Sequence, residues 1–432
     1  MEEPIKKAPL LSPLLIVFML TMILANIAGS MYGNLLPLYL KSLDANVVQV
    51  GVFFTISQII PLALQILGGW ISDSLGRLKS IAIGSVAGVL SYVGLILAPT
   101  WQWVLAGEGL SAITRSLVGP SFGAFIAEES SDENRARVYG ITQTIFTVVT
   151  VIGPPFGGFL VDKFGFKFML LVAGIIYSIA TVIRVMMARR AASHEQTKSN
   201  GSLKFTSLKA NLSAMTGILL AGGLITWALI TDGVRDVSFS LSGSLLPIYM
   251  QDFGDLSAQQ IGWLMSVFGI ANMLVNIPAG WLADKKGDRL AIILGFVVQG
   301  GALFLLLNVS SFWGYAIVWA IFGIGVGLMA PAYQSLISKV LPQKLRGTGF
   351  GLIQSSLGLF SLPAPAIGAS LYQNVSPKLP FAITAWASIL AIIPVWFKFK
   401  ITQKDQDANA KALSKLEPSP VETQPEPNSL DQ

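Results

Sequence analysis

No cysteine occurs in the 432 residues, so disulfides and thiolate metal sites are excluded. Histidine is almost as scarce. His194 stands alone in the polar stretch ARRAASHEQTKSNGS, which removes His-based triads and multi-His metal sites. Charge is also short: 12% of residues are Asp, Glu, Lys or Arg, against roughly 25% in soluble domains. A soluble chain of this length would form two or three domains with polar surfaces, and too few polar side chains exist to cover them. No GxxxxGK[ST] loop appears, so the chain itself is not an ATP-driven pump. No cofactor and no metal are expected.

What is present is apolar sequence, 53% of the chain from the AVILMFWYC set. A bilayer-crossing helix needs about 20 mainly apolar residues. Runs of that length are read at 13–40, 49–71, 79–98, 101–126, 138–161, 167–188, 214–250, 260–282, 290–308, 312–337, 349–372 and 379–398. These runs do not alternate as barrel strands would. The first is too long, and lacks the small-residue cleavage site, for a removed signal peptide. The excess of Lys+Arg over Asp+Glu (29 against 23) is topological. With the N-terminus inside, 23 of the 29 basic residues fall in cytoplasmic segments, the 184–209 connection among them. Both termini are therefore expected to be cytoplasmic, in a cell (plasma or inner) membrane, and a nucleic-acid partner has no support.

The chain repeats at an offset of 210–211 residues. LLPLY at 35–39 returns as LLPIY at 245–249, and GGWISDSLGR at 68–77 as AGWLADKKGD at 279–288. Pro120 recurs as Pro331, Arg135 as Arg346, Gln143 as Gln354, Pro154 as Pro365 and Gly157 as Gly368. Each half holds six spans and enters the membrane in the same direction, a parallel repeat about the membrane normal. The expected fold is an all-α integral membrane protein of twelve transmembrane helices in two six-helix bundles. Its parts are an N-terminal bundle (1–188), a cytoplasmic linker (189–212), a C-terminal bundle (213–400) and a disordered tail (401–432) rich in Pro, Gln, Glu and Asp.

The loop between spans 2 and 3 reads Gly69-x-x-x-Asp73-x-x-Gly76-Arg77-x-Lys79, and a degenerate copy reads Gly280-x-x-x-Asp284-x-x-Gly287-Asp288-Arg289. At these residues the chain resembles the major facilitator superfamily, whose signature is a G-x-x-x-D-x-x-G-R-[RK] loop. The resemblance implies that this cluster locks the cytoplasmic side in the outward-open state. It also implies an acidic partner for Arg77: Glu128-x6-Arg135 fits the family's E-x6-R pattern. Positive-inside placement alone is the simpler reading of Arg77 and Lys79. Gly153-Pro154-Pro155-Phe156-Gly157-Gly158 resembles the GPxxGG motif of the drug/proton antiporter branch, although Val149 stands where that motif has a further glycine. Physically these residues would bend span 5 and let a neighbour pack closely; a purely packing role is the alternative reading. Where the family often has an arginine in span 4, near position 108, this chain has Glu108, and its arginine is Arg115.

Five ionisable residues lie inside apolar spans: Glu108 and Arg115 in span 4, and Asp232, Arg235 and Asp236 in span 7. Near the bilayer centre Arg or Asp each costs about 2.5–3.5 kcal/mol on insertion scales. Each group shares one helix face, and the family resemblance places spans 1, 4, 7 and 10 around a central cavity. Depth along the helices brings Arg115 to the level of the two aspartates, so an ion pair from Arg115 to one of them, across the halves, is expected. The functional reading is that Glu108 or Asp236 takes up and releases a proton; a static ion-pair network is the alternative. Uncharged candidates for the lining are Asn26, Asn34, Gln58, Gln65, Gln143, Asn272, Asn276, Trp319 and Gln354, with interhelical packing the rival role for each.

A secondary transporter accounts for repeat, loops and buried charges together. Its expected partners are a small-molecule substrate, protons and the lipid bilayer, and a monomer suffices. GPPFGG favours proton-coupled efflux of lipophilic compounds. Unpaired arginines would favour uptake or exchange of a small organic anion or sugar instead. A polytopic membrane enzyme is the rival from another class.

Overall fold

The computed structural model describes residues 12–130, 134–192, 224–340 and 358–399. These residues are helical throughout, with no strand among them. Span 1 is two helices, α1 (Pro13–Gly33) and α2 (Leu36–Ser42), broken at Asn34–Leu35. Pro37 lies in the first turn of α2, where its missing N–H is no loss. Spans 2–6 are α3 (Val47–Leu75), α4 (Arg77–Leu97), α5 (Trp101–Glu129), α6 (Arg135–Phe164) and α7 (Phe166–Ala192). The second half repeats the pattern. Span 7 is α8 (Leu224–Gly243) and α9 (Leu246–Gly254), with Pro247 at the matching place. Spans 8–10 are α10 (Ala258–Lys286), α11 (Asp288–Leu306) and α12 (Phe312–Val340). Helix α13 (Ala364–Asn374) belongs to span 11, and α14 (Leu379–Leu390) with α15 (Ile392–Lys398) form span 12. By length and composition, eight of the described helical segments could cross a membrane.

Gly76 and Gly287 make the sharp turns that start α4 and α11, at φ +88° and +92°. Only glycine enters that region without steric cost, so the two signature loops turn as their glycines require. The linker at 193–212 and the tail from residue 400 lie outside the described residues.

Packing repeats with the sequence. In the first half α5 packs on α3 and α4, α7 on α1 and α4, and α6 on α1; in the second α12 packs on α10 and α11, α14 on α8 and α11, and α13 on α8. The halves meet mainly through two helix pairs, α6 with α10 and α3 with α13, with a smaller contact between α2 and α9.

Call the end where α1 starts the near end, and the opposite end, where α2 and α9 finish, the distal end. One hydrophobic core fills the distal part and draws on both halves, from Tyr32, Leu35 and Tyr39 to Leu245, Tyr249 and Phe381. Towards the near end there are two separate cores, one around Phe18 and Phe125 and one around Phe296 and Tyr333. A Lys41–Asp252 ion pair at 2.7 Å also joins the halves distally. Among the described residues, therefore, the halves are joined at the distal end and fall into separate cores towards the near end.

Arg184 corrects the sequence reading. It was counted with the cytoplasmic connection, but α7 continues through it, and its side chain is 1% exposed inside the first bundle. Its guanidinium donates to Thr21 Oγ1 at 3.1 Å, Ser85 Oγ at 2.9 Å and the Thr21 carbonyl at 3.2 Å. One side chain thus ties α7 to α1 and α4.

Candidate functional site

Helix α5 has two charges among apolar residues because they line a cavity. About 530 Å³ opens between α3 and α5, with Gly358 of the second half on its wall. Ser57, Gln58, Glu108, Arg115 and Ser116 give it polar groups; Phe54, Pro61 and Leu62 give it apolar surface. The mixture suits a small molecule with an apolar body and a few polar contacts.

Within this site the Glu108 side chain is 8% exposed and that of Arg115 54%. Arg115 Nη2 pairs with Glu108 Oε2 at 3.3 Å, and Nη1 donates to Ser111 Oγ at 2.9 Å. On the other carboxylate oxygen the Tyr32 hydroxyl donates to Oε1 at 3.2 Å. Tyr32 is buried, edge-on to Tyr92 with ring centroids 5.6 Å apart. Glu108 is thus held from two sides, by a phenol of α1 and by a guanidinium of its own helix.

The second-half charges form their own cluster on α8. Arg235 lies 2.7 Å from Asp232 Oδ1 and 2.7 Å from Asp236 Oδ1, so two carboxylates share one cation. Behind it is the Tyr333 ring, 5.6 Å from the guanidinium carbon.

The expected ion pair across the halves, from Arg115 to Asp232 or Asp236, is not formed. Each arginine pairs instead with a carboxylate on its own helix. The charges now add up simply. Three acids face two bases, which leaves one negative charge in excess, and neither arginine is without a carboxylate.

Among the uncharged candidates, Trp319 is corrected. It is buried in the distal core, its ring edge-on to Phe268 and Phe322, and its indole N–H points to the Met250 sulfur at 3.1 Å. A large apolar ring gains more from that packing than from a wet wall. Asn26 donates to the Met22 carbonyl of its own helix at 2.8 Å. Asn34, at the α1–α2 break, and Gln143 on α6 are exposed, and none of the three lines this cavity. Gln354 lies outside the described residues.

At the near end, Arg77 Nε donates to Glu128 Oε1 at 3.1 Å, the partner that the family pattern implied. Lys79 and Asp284 are exposed. The side chains of Asp73 and Arg135, and the surroundings of Gly69, lie outside the described residues. Arg289 turns to its own half, donating to the Trp396 carbonyl at 3.1 Å and covering that ring. The Asp288 carboxylate, where the signature has arginine, is buried and pairs with Lys339 at 2.7 Å.

The GPPFGG stretch lies where α6 meets both α1 and the other half. Helix α6 continues through Pro154 and Pro155. A methyl on Gly153 would strike Ser30, on Gly157 the Met31 backbone, and on Gly158 the Ala258 backbone of the second half. The glycines therefore allow backbones to touch.

Of the uncharged candidates Gln58 does line the cavity; sequence reasoning missed Tyr32 and Arg184. Tyr32 carried no signal, since a tyrosine in an apolar span reads as packing. Arg184 did carry one, an arginine inside an apolar run.

Comparison with known proteins agrees with this architecture. The sequence profile described as Major Facilitator Superfamily matches twice, over residues 18–234 and 228–425. The quinolone resistance protein NorA of Staphylococcus aureus is 26% identical over 174 residues, 40% of this chain and 44% of that protein. The match thus spans less than half of that relative's length. A bacterial homologue of the iron transporter ferroportin has the same fold, with TM-score 0.72 at 15% identity, over 88% of this chain and 97% of the other. The nucleoside transporter NupG gives TM-score 0.68 at 13% identity, over 89% and 99%.

Proposed function

The chain belongs to the major facilitator superfamily, and we propose that it exports lipophilic, positively charged small molecules in exchange for protons. Membership makes it a multi-pass membrane transporter rather than an enzyme. The rest of the reading is carried by one observation: Arg115 and Arg235 are both already neutralised. Arg115 pairs with Glu108, and Arg235 with two aspartates, so among these five residues one negative charge is in surplus, and it lies with the α8 cluster. A site with surplus negative charge attracts a cation and lowers the cost of holding it away from water.

The mechanism follows from that surplus. In the near-open, distally sealed state a cation enters from the near end and settles against the apolar wall of Phe54 and Leu62. The near end is taken as cytoplasmic, in line with the basic residues there. Reorientation exposes the site at the distal end. A proton taken up by Glu108 or Asp236 removes the negative charge, and the cation leaves. Exchange follows because proton and cation compete for the same charge. The GPPFGG stretch and the likeness to NorA, named as a quinolone resistance protein, support the efflux direction.

A second reading rests on the exposure of Arg115. More than half of its side chain faces the cavity, which would suit a small organic anion. Transport in proteoliposomes, with a panel of cationic dyes and organic anions tested with and without a proton gradient, separates the two. The proposal expects gradient-dependent movement of the cations and none of the anions; gradient-driven anion transport would overturn it.

A further inference from the structure

The distal seal is built twice, by residues 211 apart. Gly262 of α10 lies against the Pro154 carbonyl of α6, and its counterpart Gly51 of α3 against the Pro365 carbonyl of α13. Each of these interfaces ends in a side chain that reaches the first turn of a helix in the other half. Gln373 Oε1 accepts from the Val48 N–H at 3.1 Å. At the counterpart position Asp162 accepts from the N–H groups of Ala258 and Gln259, at 3.0 and 2.9 Å. The local caps also match: Asn46 with Gln49 on α3, and Ser257 with Gln260 on α10.

The two clamps differ in charge. Gln373 offers a neutral amide oxygen and holds one donor. Asp162 brings a carboxylate to the positive end of a 29-residue helix, and each of its oxygens holds a donor. Bonds to an ionised acceptor are roughly twice as strong as neutral ones. The neighbouring Lys163 covers the Phe159 ring, at 4.9 Å.

We propose that Asp162 is a positioning residue of the transport cycle. By capping α10 across the halves it holds the distal end shut, and this charged clamp, more than Gln373, sets how often that end opens. It acts through α10 and touches no substrate. The inference rests on the alternating-access reading but not on the identity of the substrate, so its test reads distance rather than flux.

The natural absence of cysteine makes the test direct. Spin labels on cysteines at Thr100 and Ser310, exposed loop residues of the two halves at the distal end, report its opening by electron–electron double resonance in nanodiscs. Asp162→Ala is expected to raise the ratio of long to short distances roughly tenfold, as loss of bonds to a charged acceptor implies. Asp162→Asn should fall between it and the unaltered protein, and Gln373→Ala should do less than either. Should Asp162→Ala fail to fold, Gln373→Glu decides: a second charged clamp lowers the open fraction. An unchanged ratio in Asp162→Ala, a shift as large in Gln373→Ala, or an unchanged ratio in Gln373→Glu would each overturn the proposal.

Discussion

Arg77 pairs with Glu128 at the near end of the first half; at the counterpart positions of the second half, Asp288 pairs with Lys339. The bridge joins the same two helices in both halves, with the signs exchanged. The cavity charges differ more. The first half carries Glu108 with Arg115, one acid to one base, and the second carries Asp232 and Asp236 on one Arg235. By contrast the Pro37 and Pro247 breaks, the Gly76 and Gly287 turns, and the Gly51 and Gly262 contacts match. The duplicated scaffold is held by backbone geometry, which tolerates little change. The charges sit on side chains, and they have diverged wherever a partner diverged with them.

Removing the acids within the membrane spans should break the comparison most. Glu108→Gln or Asp236→Asn is expected to lower proton-driven transport at least about tenfold, worth ~1.4 kcal/mol of barrier. Assayed side by side in proteoliposomes, the two show which half binds the proton; normal flux in both variants would exclude coupling through either acid. Next comes Arg184, a buried cation of the first half whose counterpart is Val395. Thermal unfolding in detergent should show Arg184→Ala less stable by ~2–4 kcal/mol, from a cavity and freed acceptors. Arg184→Met should cost clearly less, since a buried charge can often be replaced by an apolar side chain of similar volume.

The exchanged bridges give a smaller effect. Lys339→Ala leaves the Asp288 carboxylate, 4% exposed, without its cation and should cost ~1–3 kcal/mol. Glu128 is 55% exposed, so Glu128→Ala should cost under ~1 kcal/mol. The reversed pair Asp288→Arg with Lys339→Glu should recover most of the loss seen in either single reversal, by the same unfolding assay. Smallest of all is Gly280→Ala. Despite its place in the signature copy, among the described residues no atom outside its own helix turn lies within 4 Å of where its methyl would be, so the change should stay within ~0.5 kcal/mol.

The repeat and the run lengths made the two-bundle fold legible in the sequence, because helices and their turns are set locally. The Arg77–Glu128 pair was legible too, through the family resemblance of the two short segments that carry it. The expectation of an ion pair from Arg115 to Asp232 or Asp236 came from depth alone. It failed because depth along a helix does not fix which way a side chain turns, and each arginine meets a carboxylate on its own helix. Tyr32 under Glu108 and Asp162 on α10 were hidden for a related reason: each contact joins segments some 75 to 100 residues apart. Arg184 was misread because it stands just before Arg189 and Arg190, so a buried cation merged with a basic loop.

The central claim is that a cation and a proton compete for the surplus negative charge of the site. Its most direct test is substrate-induced proton movement in sealed vesicles that hold a pH gradient, followed with a pH-sensitive dye. A lipophilic cation should dissipate the gradient through the unaltered protein, but not through Glu108→Gln combined with Asp236→Asn, and an organic anion should leave it intact. Dissipation by the anion, or by the cation through the doubly substituted protein, would contradict the account.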